Sequence, residues 1–262
     1  MLPARTMLIP LKSRLSTLYN LWCWLWFLFV LTTFGLMILI LPGLRLRQHI
    51  ARLGMRFTWT LCRLRPTVSG LAHLPSGTAI VVANHVSYLD GLLLTGVLPA
   101  GYVFVAKHEM SQVPLASWLL RRLGIAFVNR EKPAQGAHDA RSILRRAQQG
   151  TSFAFFPEGT IPRGGALGPF RLGAFLTAAE LQCPVVPISL EGTERVMPDD
   201  HRWRVYHHPI RVRIHAPIHP KGRNRPDLAW LRDQARMRIA RSLEAEASPH
   251  HAESARRDRN TG

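Results

Sequence analysis

The chain has 262 residues, 47% of them hydrophobic, which is enough for one substantial packed core and excludes a chain that is disordered throughout. Its 34 Lys and Arg against 16 Asp and Glu leave a formal net charge of +18, which calls for an anionic partner such as nucleic acid, anionic lipid or an acidic protein. The three cysteines, Cys23, Cys62 and Cys183, lack the spacing of a zinc site or a disulfide framework. This cysteine usage favours a reducing compartment.

The first element is a long uncharged run from Leu21 to Leu41, LWCWLWFLFVLTTFGLMILIL. A helix needs about 20 apolar residues to cross a bilayer core, so the run predicts a membrane segment. A cleaved signal peptide is the alternative, but its apolar region is only about 7–15 residues long and ends at small residues. Basic residues flank both ends of the run, which leaves open whether the segment spans the membrane once or enters and returns.

The next segment, Gln48 to Leu64, predicts a second helix. Its apolar residues recur on one face: Ile50, Leu53, Phe57 and Leu61. Such a helix suits a membrane surface, where apolar side chains enter the lipid and arginines meet phosphates. A helix that packs on the rest of the protein with a solvated basic face fits the same pattern equally well.

From Pro66 onward, predicted strands and helices alternate. Short β-branched or aromatic runs predict strands at Thr78–Ala83, Tyr102–Ala106, Ala126–Asn129, Ser152–Phe156, Val185–Leu190 and Ile210–Ile214. The remaining segments predict helices at Tyr88–Val97, Pro114–Leu123, Ala134–Gln149, Phe170–Leu181 and Pro226–Ala247. Alternation of this kind predicts an α/β fold with a mostly parallel sheet flanked by helices, preceded by an N-terminal membrane helix region.

Three regions follow from this pattern. Residues 1–65 would form the N-terminal membrane-associated helices, and residues 66–247 the α/β domain. Residues 248–262 are polar and rich in histidine and arginine, so we expect a disordered tail.

The motif NHVSYLD follows the first predicted strand of the α/β domain and contains His85 and Asp90. A lone histidine after a strand is more often structural than catalytic, and in one continuous helix the two side chains would point about 140° apart. The geometry improves if His85 lies in the turn and Asp90 in the first turn of the next helix, where the helix dipole favours a carboxylate. Asp90 could then hold one ring nitrogen while the other takes a proton from a hydroxyl, so the pair is a candidate general base.

Three further polar clusters follow predicted strands. FPEGT contains Glu158, Gly159 and Thr160, GIAFVNR ends at Arg130, and VAKHEM contains Lys107. A glycine in such a turn lets a ligand approach the backbone, and turn N–H groups can hold an oxyanion or phosphate. Taken alone, FPEGT fits a well-capped turn better. Because ligands of open α/β sheets bind at the carboxyl ends of strands, the clusters together favour a binding site.

These motifs resemble those of the glycerolipid acyltransferases typified by 1-acyl-sn-glycerol-3-phosphate acyltransferase. NHVSYLD is similar to the family's H-x-x-x-x-D block, GIAFVNR to its arginine block, FPEGT to its third block and VVPISLEGT, at 185–193, to its fourth. The resemblance covers Leu71 to Thr193, with the blocks in the family's order. Each block is short, but four in order form a specific pattern.

The resemblance implies an O-acyltransferase that forms no acyl-enzyme and needs no cofactor. His85, oriented by Asp90, would deprotonate the free hydroxyl of a lysolipid, which attacks the thioester of an acyl-CoA or acyl carrier protein. A neutral imidazole is a competent base near pH 7, and the tetrahedral oxyanion needs preorganised donors. With 1-acyl-sn-glycerol-3-phosphate as acceptor, the product would be phosphatidic acid, which indicates phospholipid biosynthesis.

The resemblance also implies a set of substrate-binding residues. The polar acceptor would be held by Arg130, Glu158, Gly159 and Thr160, with Lys107 near its phosphate. The family's third block usually continues into arginine, whereas this chain has Ile161, followed two positions later by Arg163. A phosphate prefers a bidentate guanidinium, so either Arg163 and Arg171 substitute for the missing arginine or the acceptor is a lysolipid with another headgroup.

The expected partners are membrane lipids, a lysolipid acceptor and an acyl thioester donor. Both substrates carry long acyl chains and anionic ends, which accounts for the membrane segment and the basic surface. We expect an inner or cytoplasmic membrane, with the catalytic domain facing the cytoplasm. The sequence leaves the oligomeric state open.

Other functional classes fit the sequence less well. A nucleic-acid binder would explain the charge, but the basic residues are scattered and no recognised binding motif accompanies them. A metal hydrolase could use His85, Asp90 and a pair such as His207 and His208, yet no H-E-x-x-H or comparable spacing occurs. A serine lipase requires G-x-S-x-G, whereas Ser87 lies in HVSYL. A thioesterase or lipase therefore remains only a weaker alternative.

Overall fold

The computed structural model of the chain describes residues 5–129, 132–162, 166–198 and 203–247. The predicted tail at 248–262 and two predicted site residues, Arg130 and Arg163, lie outside these ranges. A helical hairpin is followed by an α/β layer, which confirms the predicted fold class.

The hairpin consists of α1 (Arg5–Ile40) and α2 (Leu44–Leu61). Gly43 connects them with φ 78°, a conformation that glycine adopts readily. The helices run antiparallel, since the hydroxyl of Tyr19 in α1 donates to the carbonyl oxygen of Cys62, just beyond α2, at 2.7 Å. In α1, residues 15–40 are long and apolar enough to cross a membrane.

α1 lies along the surface of the α/β layer. The indole Nε1 of Trp24 donates to the carbonyl oxygen of Trp203 at 2.8 Å. Near the other end of the helix, the Arg122 guanidinium donates to the carbonyl oxygens of Leu39 and Leu41 at 2.6 and 2.9 Å. Because these contacts lie at both ends of its apolar stretch, α1 does not project away from the rest of the protein.

α2 packs through a face that the hydrophobic pattern did not predict. Its buried residues are Gln48, Ala51, Gly54 and Thr58. The Gln48 amide oxygen accepts from the Gly101 N–H at 2.8 Å, which joins α2 to the start of a strand. Leu53 and Phe57, which we placed on the apolar face, are both exposed. α2 is therefore a packing helix that also presents an apolar side outward.

The sheet has seven strands in the order β1-β7-β6-β2-β5-β3-β4. Neighbouring strands are parallel except for the antiparallel pair β6 and β7. The strands are β1 (Thr67–Ser69), β2 (Ile80–Ala83), β3 (Tyr102–Lys107), β4 (Ala126–Val128), β5 (Ser152–Phe155), β6 (Val185–Glu191) and β7 (Arg211–Ile214). The sequence did not predict β1, which has three residues and pairs with β7 at the edge.

Helices cover the sheet. They are α3 (Leu89–Val97), α4 (Ala116–Arg122), α5 (Pro133–Gln148), α6 (Gly173–Leu181), α7 (Thr193–Val196) and α8 (Arg225–Ala247). The central strand β2 is buried on both sides, as is typical of a parallel sheet. Val81 and Ala83 pack in a cluster with the hairpin and α3, whereas Ile80 and Val82 pack in a cluster with α5, α6 and α8.

Candidate active site

His85 and Asp90 meet at the carboxyl end of β2. His85 lies in the turn after the strand, and Asp90 lies in the first turn of α3, which is the arrangement the sequence predicted. The imidazole Nδ1 of His85 lies 2.9 Å from Oδ2 of Asp90. The Asp90 side chain is fully buried, whereas the His85 ring keeps 21% of its surface exposed.

Asp90 is fixed by more than the histidine. Its Oδ2 also accepts the backbone N–H groups of Val86 and Ser87, at 2.7 and 2.9 Å. Its Oδ1 accepts the hydroxyl of Thr193, at the start of α7, at 2.6 Å. These donors hold the carboxylate in one orientation. Because Asp90 can only accept while ionised, Nδ1 of His85 must donate, and Nε2 is the basic nitrogen.

Thr193 is a site residue that the sequence did not reveal. It is fully buried, and it is the last residue of the fourth motif block, VVPISLEGT, where a threonine carries no obvious chemistry in isolation. The hydrogen bond to Asp90 joins residues that are 103 positions apart. Only the sheet, which places β6 directly beside β2, brings them together.

Glu158 supports His85 from the other side. Its Oε1 accepts the backbone N–H of His85 at 2.8 Å, and its Oε2 accepts the N–H of Gly168 at 2.7 Å. Burial raises the pKa of Glu158, and these two N–H groups oppose the shift. Both oxygens thus have backbone partners, which indicates a role in positioning the turn. Its predicted contact with the acceptor stays a prediction.

An apolar cavity of about 690 Å³ begins at His85 and extends beneath the hairpin. Phe156 stacks on the His85 ring with centroids 4.2 Å apart, which fixes the plane of the imidazole at the cavity wall. α1, α2, α3, β3 and α4 all contribute apolar side chains to the lining. The volume lies within the range of small-molecule binding sites, about 300–1,000 Å³.

Most of the predicted polar residues that the structure describes reach this cavity. Lys107, Gly159 and Thr160 line it together with His85. Ile161, at the position where the family usually has arginine, also lines it, so an apolar side chain occupies that part of the wall.

A family model described as Acyltransferase matches residues 65–191. The chain is 32% identical over 198 residues to 1-acyl-sn-glycerol-3-phosphate acyltransferase alpha of Homo sapiens, which covers 72% of this chain and 67% of the human protein. The chain belongs to the acyltransferase family. The resemblance predicted from the four motif blocks is therefore confirmed.

Two further relatives extend this assignment. A chloroplastic 1-acyl-sn-glycerol-3-phosphate acyltransferase of Brassica napus is 36% identical over 178 residues, which is 67% of this chain. The chain spans about half the length of that relative, 50%. The crystal structure of the 1-acyl-sn-glycerophosphate acyltransferase of Thermotoga maritima has a TM-score of 0.72 and 24% identity, and the match covers 89% of this chain and 98% of that one. It shows that the two proteins share their fold.

Proposed function

We propose that the protein is a membrane-bound acyltransferase that moves a fatty acyl group from a thioester to the free hydroxyl of 1-acyl-sn-glycerol-3-phosphate, forming phosphatidic acid. The observation that carries the proposal is the buried Asp90 carboxylate 2.9 Å from Nδ1 of His85, at the mouth of an apolar cavity. The names of the relatives support the same acceptor.

The dyad accounts for the chemistry. Nε2 of His85 takes the proton of the acceptor hydroxyl as the oxygen attacks the thioester carbonyl, and Asp90 stabilises the imidazolium that forms. The tetrahedral oxyanion then collapses and the C–S bond breaks. The imidazolium returns its proton to the thiolate, so a free thiol and a new ester leave the site.

The cavity fits the acyl chain of a substrate. Its walls are apolar along α1, α2 and α4, whereas His85 of the dyad lines it together with other polar residues, Tyr88, Thr95, Lys107 and Thr160. A lipid would therefore bind with its chain beneath the hairpin and its polar end beside His85. Lys107 and, outside the described residues, Arg130 and Arg163 are the proposed cations for the acceptor phosphate.

The placement of α1 supports attachment to one leaflet of a membrane. Trp24 and Arg122 mark contacts with the α/β layer near the two ends of the apolar stretch, so the helix runs along the catalytic domain. A helix that crossed the bilayer would have to leave these contacts. Its exposed side carries large apolar residues, including Leu25, Leu28 and Phe29, which suit the acyl region of a leaflet.

An acceptor panel tests the proposal. Purified protein in anionic vesicles would receive one labelled acyl thioester and, in turn, lysophosphatidic acid, other lysophospholipids or no acceptor. We expect label in phosphatidic acid above all other products. Label that appears mainly as free fatty acid, with or without acceptor, would show a thioesterase or lipase instead. Acyl-CoA and acyl carrier protein compared as donors in the same assay would identify the donor.

A second candidate is an acyltransferase for a lysolipid with a different headgroup. Ile161 in the cavity wall favours it, because the family arginine is missing at that position. Ile161→Arg separates the two candidates. If lysophosphatidic acid is the acceptor, the variant should use it as well as or better than the wild type. Suppose instead that the wild type prefers a different lysolipid, and that the variant uses this lysolipid more slowly and lysophosphatidic acid faster. The second candidate is then correct.

A further inference from the structure

The segment that runs from the end of β3 into the first turn of α4 exposes apolar side chains in a short stretch of sequence. Leu115 is 72% exposed and Trp118 62% exposed, and Met110 and Val113 are exposed as well. A short stretch of exposed apolar side chains of this kind marks a surface that contacts another protein or a membrane.

The exposed segment continues the apolar side of the hairpin. In α4, Trp118 and Arg122 are four positions apart and therefore share one side of the helix. The Arg122 guanidinium is bound to the carbonyl oxygens of Leu39 and Leu41 at the end of α1. Trp118 thus lies one helical turn from the residue that contacts the end of α1, where Ile40 is 69% exposed.

The same segment borders the cavity. Met110 lines the cavity and is exposed, and the same is true of Leu31 in α1. One side of the cavity opening is thus formed by the hairpin and another by the segment after β3. A lipid chain that enters between them would pass both exposed surfaces.

We propose that residues 110–118 insert into an anionic lipid bilayer as a second membrane contact beside α1. The inference rests on the proposed membrane attachment through the hairpin. Lys107 and Arg121 flank the apolar stretch on either side and can meet lipid phosphates. The Trp118 ring suits the boundary between acyl chains and headgroups. In a symmetric dimer through this surface, Lys107 and Arg121 of one copy would face the same cations of the other copy. Their repulsion disfavours such a dimer.

Fluorescence quenching tests the contact directly. The probe is the full-length protein bound to vesicles of phosphatidylcholine and phosphatidylglycerol that carry bromine on their acyl chains. Trp118→Phe should lower the quenchable part of the tryptophan emission. Trp230→Phe is the matched control, because Trp230 lies in α8, packs against the apolar cluster on the other side of the sheet and should lie outside the lipid. Equal quenching in the Trp118→Phe variant and the wild type would overturn the proposal.

A charge substitution tests the strength of the contact. Leu115→Glu combined with Trp118→Glu should weaken binding to the anionic vesicles by about tenfold or more, because two apolar side chains are lost from the bilayer and two anions meet anionic lipid. Turnover of a short-chain, water-soluble lysolipid should stay within about threefold of the wild type, since neither residue lines the cavity.

The outcomes separate this inference from the function on which it rests. If the wild type itself fails to bind vesicles, the proposed membrane attachment is wrong, and the proposed second contact is wrong with it. If the wild type binds and the double variant binds equally well, only the second contact is wrong. If the wild type is a dimer in detergent and the double variant is a monomer, the surface is a protein interface and the inference is overturned.

Discussion

The N-terminal hairpin and the central sheet bury different kinds of residue. In α2, the side that packs on the protein consists of Gln48, Ala51, Gly54 and Thr58, whereas the apolar Leu53 is exposed. In the sheet, every side chain of β2 is apolar and buried. The sheet therefore follows the rule for a water-soluble core, whereas α2 packs through small and polar groups, as helices do in lipid. The other hairpin helix, α1, buries Cys23, Val30 and Ile38.

The candidate active site lies where the two regions meet. His85 follows β2 and Asp90 lies in α3, both in the α/β layer, whereas residues of the hairpin line the cavity beside them. This division lets a polar reaction centre open onto an apolar compartment. Each prediction below separates the contribution of the sheet from that of the hairpin.

The largest expected difference concerns truncation of large apolar residues. Phe153 in β5 is fully buried, so Phe153→Ala should lower the free energy of unfolding by about 3–5 kcal/mol. Leu53 in α2 is 56% exposed, so Leu53→Ala should change it by about 0.5 kcal/mol or less. Chemical unfolding in detergent micelles measures both. Equal losses would show that the hairpin is packed like a soluble core.

The interface between the regions is tested at Gly96. A Cβ atom at this position in α3 would lie 2.2 Å from the indole of Trp59 in α2, so Gly96→Ala should cost about 1–3 kcal/mol of unfolding free energy. Gly91→Ala is the matched control in the same helix, since nothing lies within 4 Å of its Cβ position. The control should be neutral or stabilising by up to about 1 kcal/mol. A second substitution, Trp59→Leu, should recover part of the loss at Gly96.

The contact between Thr193 and Asp90 should affect turnover rather than binding. Thr193→Val keeps the shape of the side chain but leaves Oδ1 of the buried Asp90 without its hydroxyl donor. We expect kcat to fall about tenfold, which corresponds to about 1.4 kcal/mol, with little change in the acceptor KM. Thr193→Ser restores a hydroxyl and should recover most of the rate. A rise in KM at unchanged kcat would show that Thr193 shapes the binding site instead.

The smallest expected effect is a pH response of the sheet. Burial and nearby cations, chiefly Arg213 and Arg238, lower the pKa of His215 to about 4 from 6.5. The unfolded chain therefore takes up a proton first as the pH falls, so the free energy of unfolding decreases between about pH 6.5 and 4 and is unaffected above that window. After allowance for partial solvent exposure, we expect about 1–2 kcal/mol.

His215→Gln should remove this decrease while retaining a hydrogen-bonding partner for Ser189, whose hydroxyl lies 2.7 Å from Nε2 of His215. His49→Gln, on the exposed side of α2, is the control in the hairpin and should leave the decrease in place. Unfolding curves across the pH range measure both variants. If His49→Gln removed the decrease and His215→Gln did not, the pH response would belong to the hairpin.

The sequence predicted the sheet more reliably than the hairpin, for a physical reason. Buried strands such as β2 are marked by short continuous apolar runs between turn residues, and in an α/β layer such short runs indicate strands that are buried on both faces. The amphipathic pattern of α2 has no such single meaning, because an apolar face can turn toward a protein core or toward lipid. The prediction therefore located the helix but left the environment of Leu53 open.

Within the site, the local contacts were predictable and the distant ones were not. The hydrogen bond between His85 and Asp90 follows from a strand, a turn and a helix start that are adjacent in sequence. The hydroxyl of Thr193 and the backbone contacts of Glu158 depend on strands that pair across the sheet, so no local pattern marks them. The short edge strand β1 was missed because three residues give no measurable alternation.

The most direct test compares His85→Ala with the wild type in the transfer of a labelled acyl group to lysophosphatidic acid in anionic vesicles. His85 is the only one of the two dyad side chains that is exposed to the cavity, so its removal should leave the buried Asp90 network and the fold in place. If Nε2 of His85 is the general base, the rate should fall by about 10²–10⁴-fold or more while vesicle binding is unchanged. A folded variant that transfers label within about tenfold of the wild-type rate would contradict a base at His85.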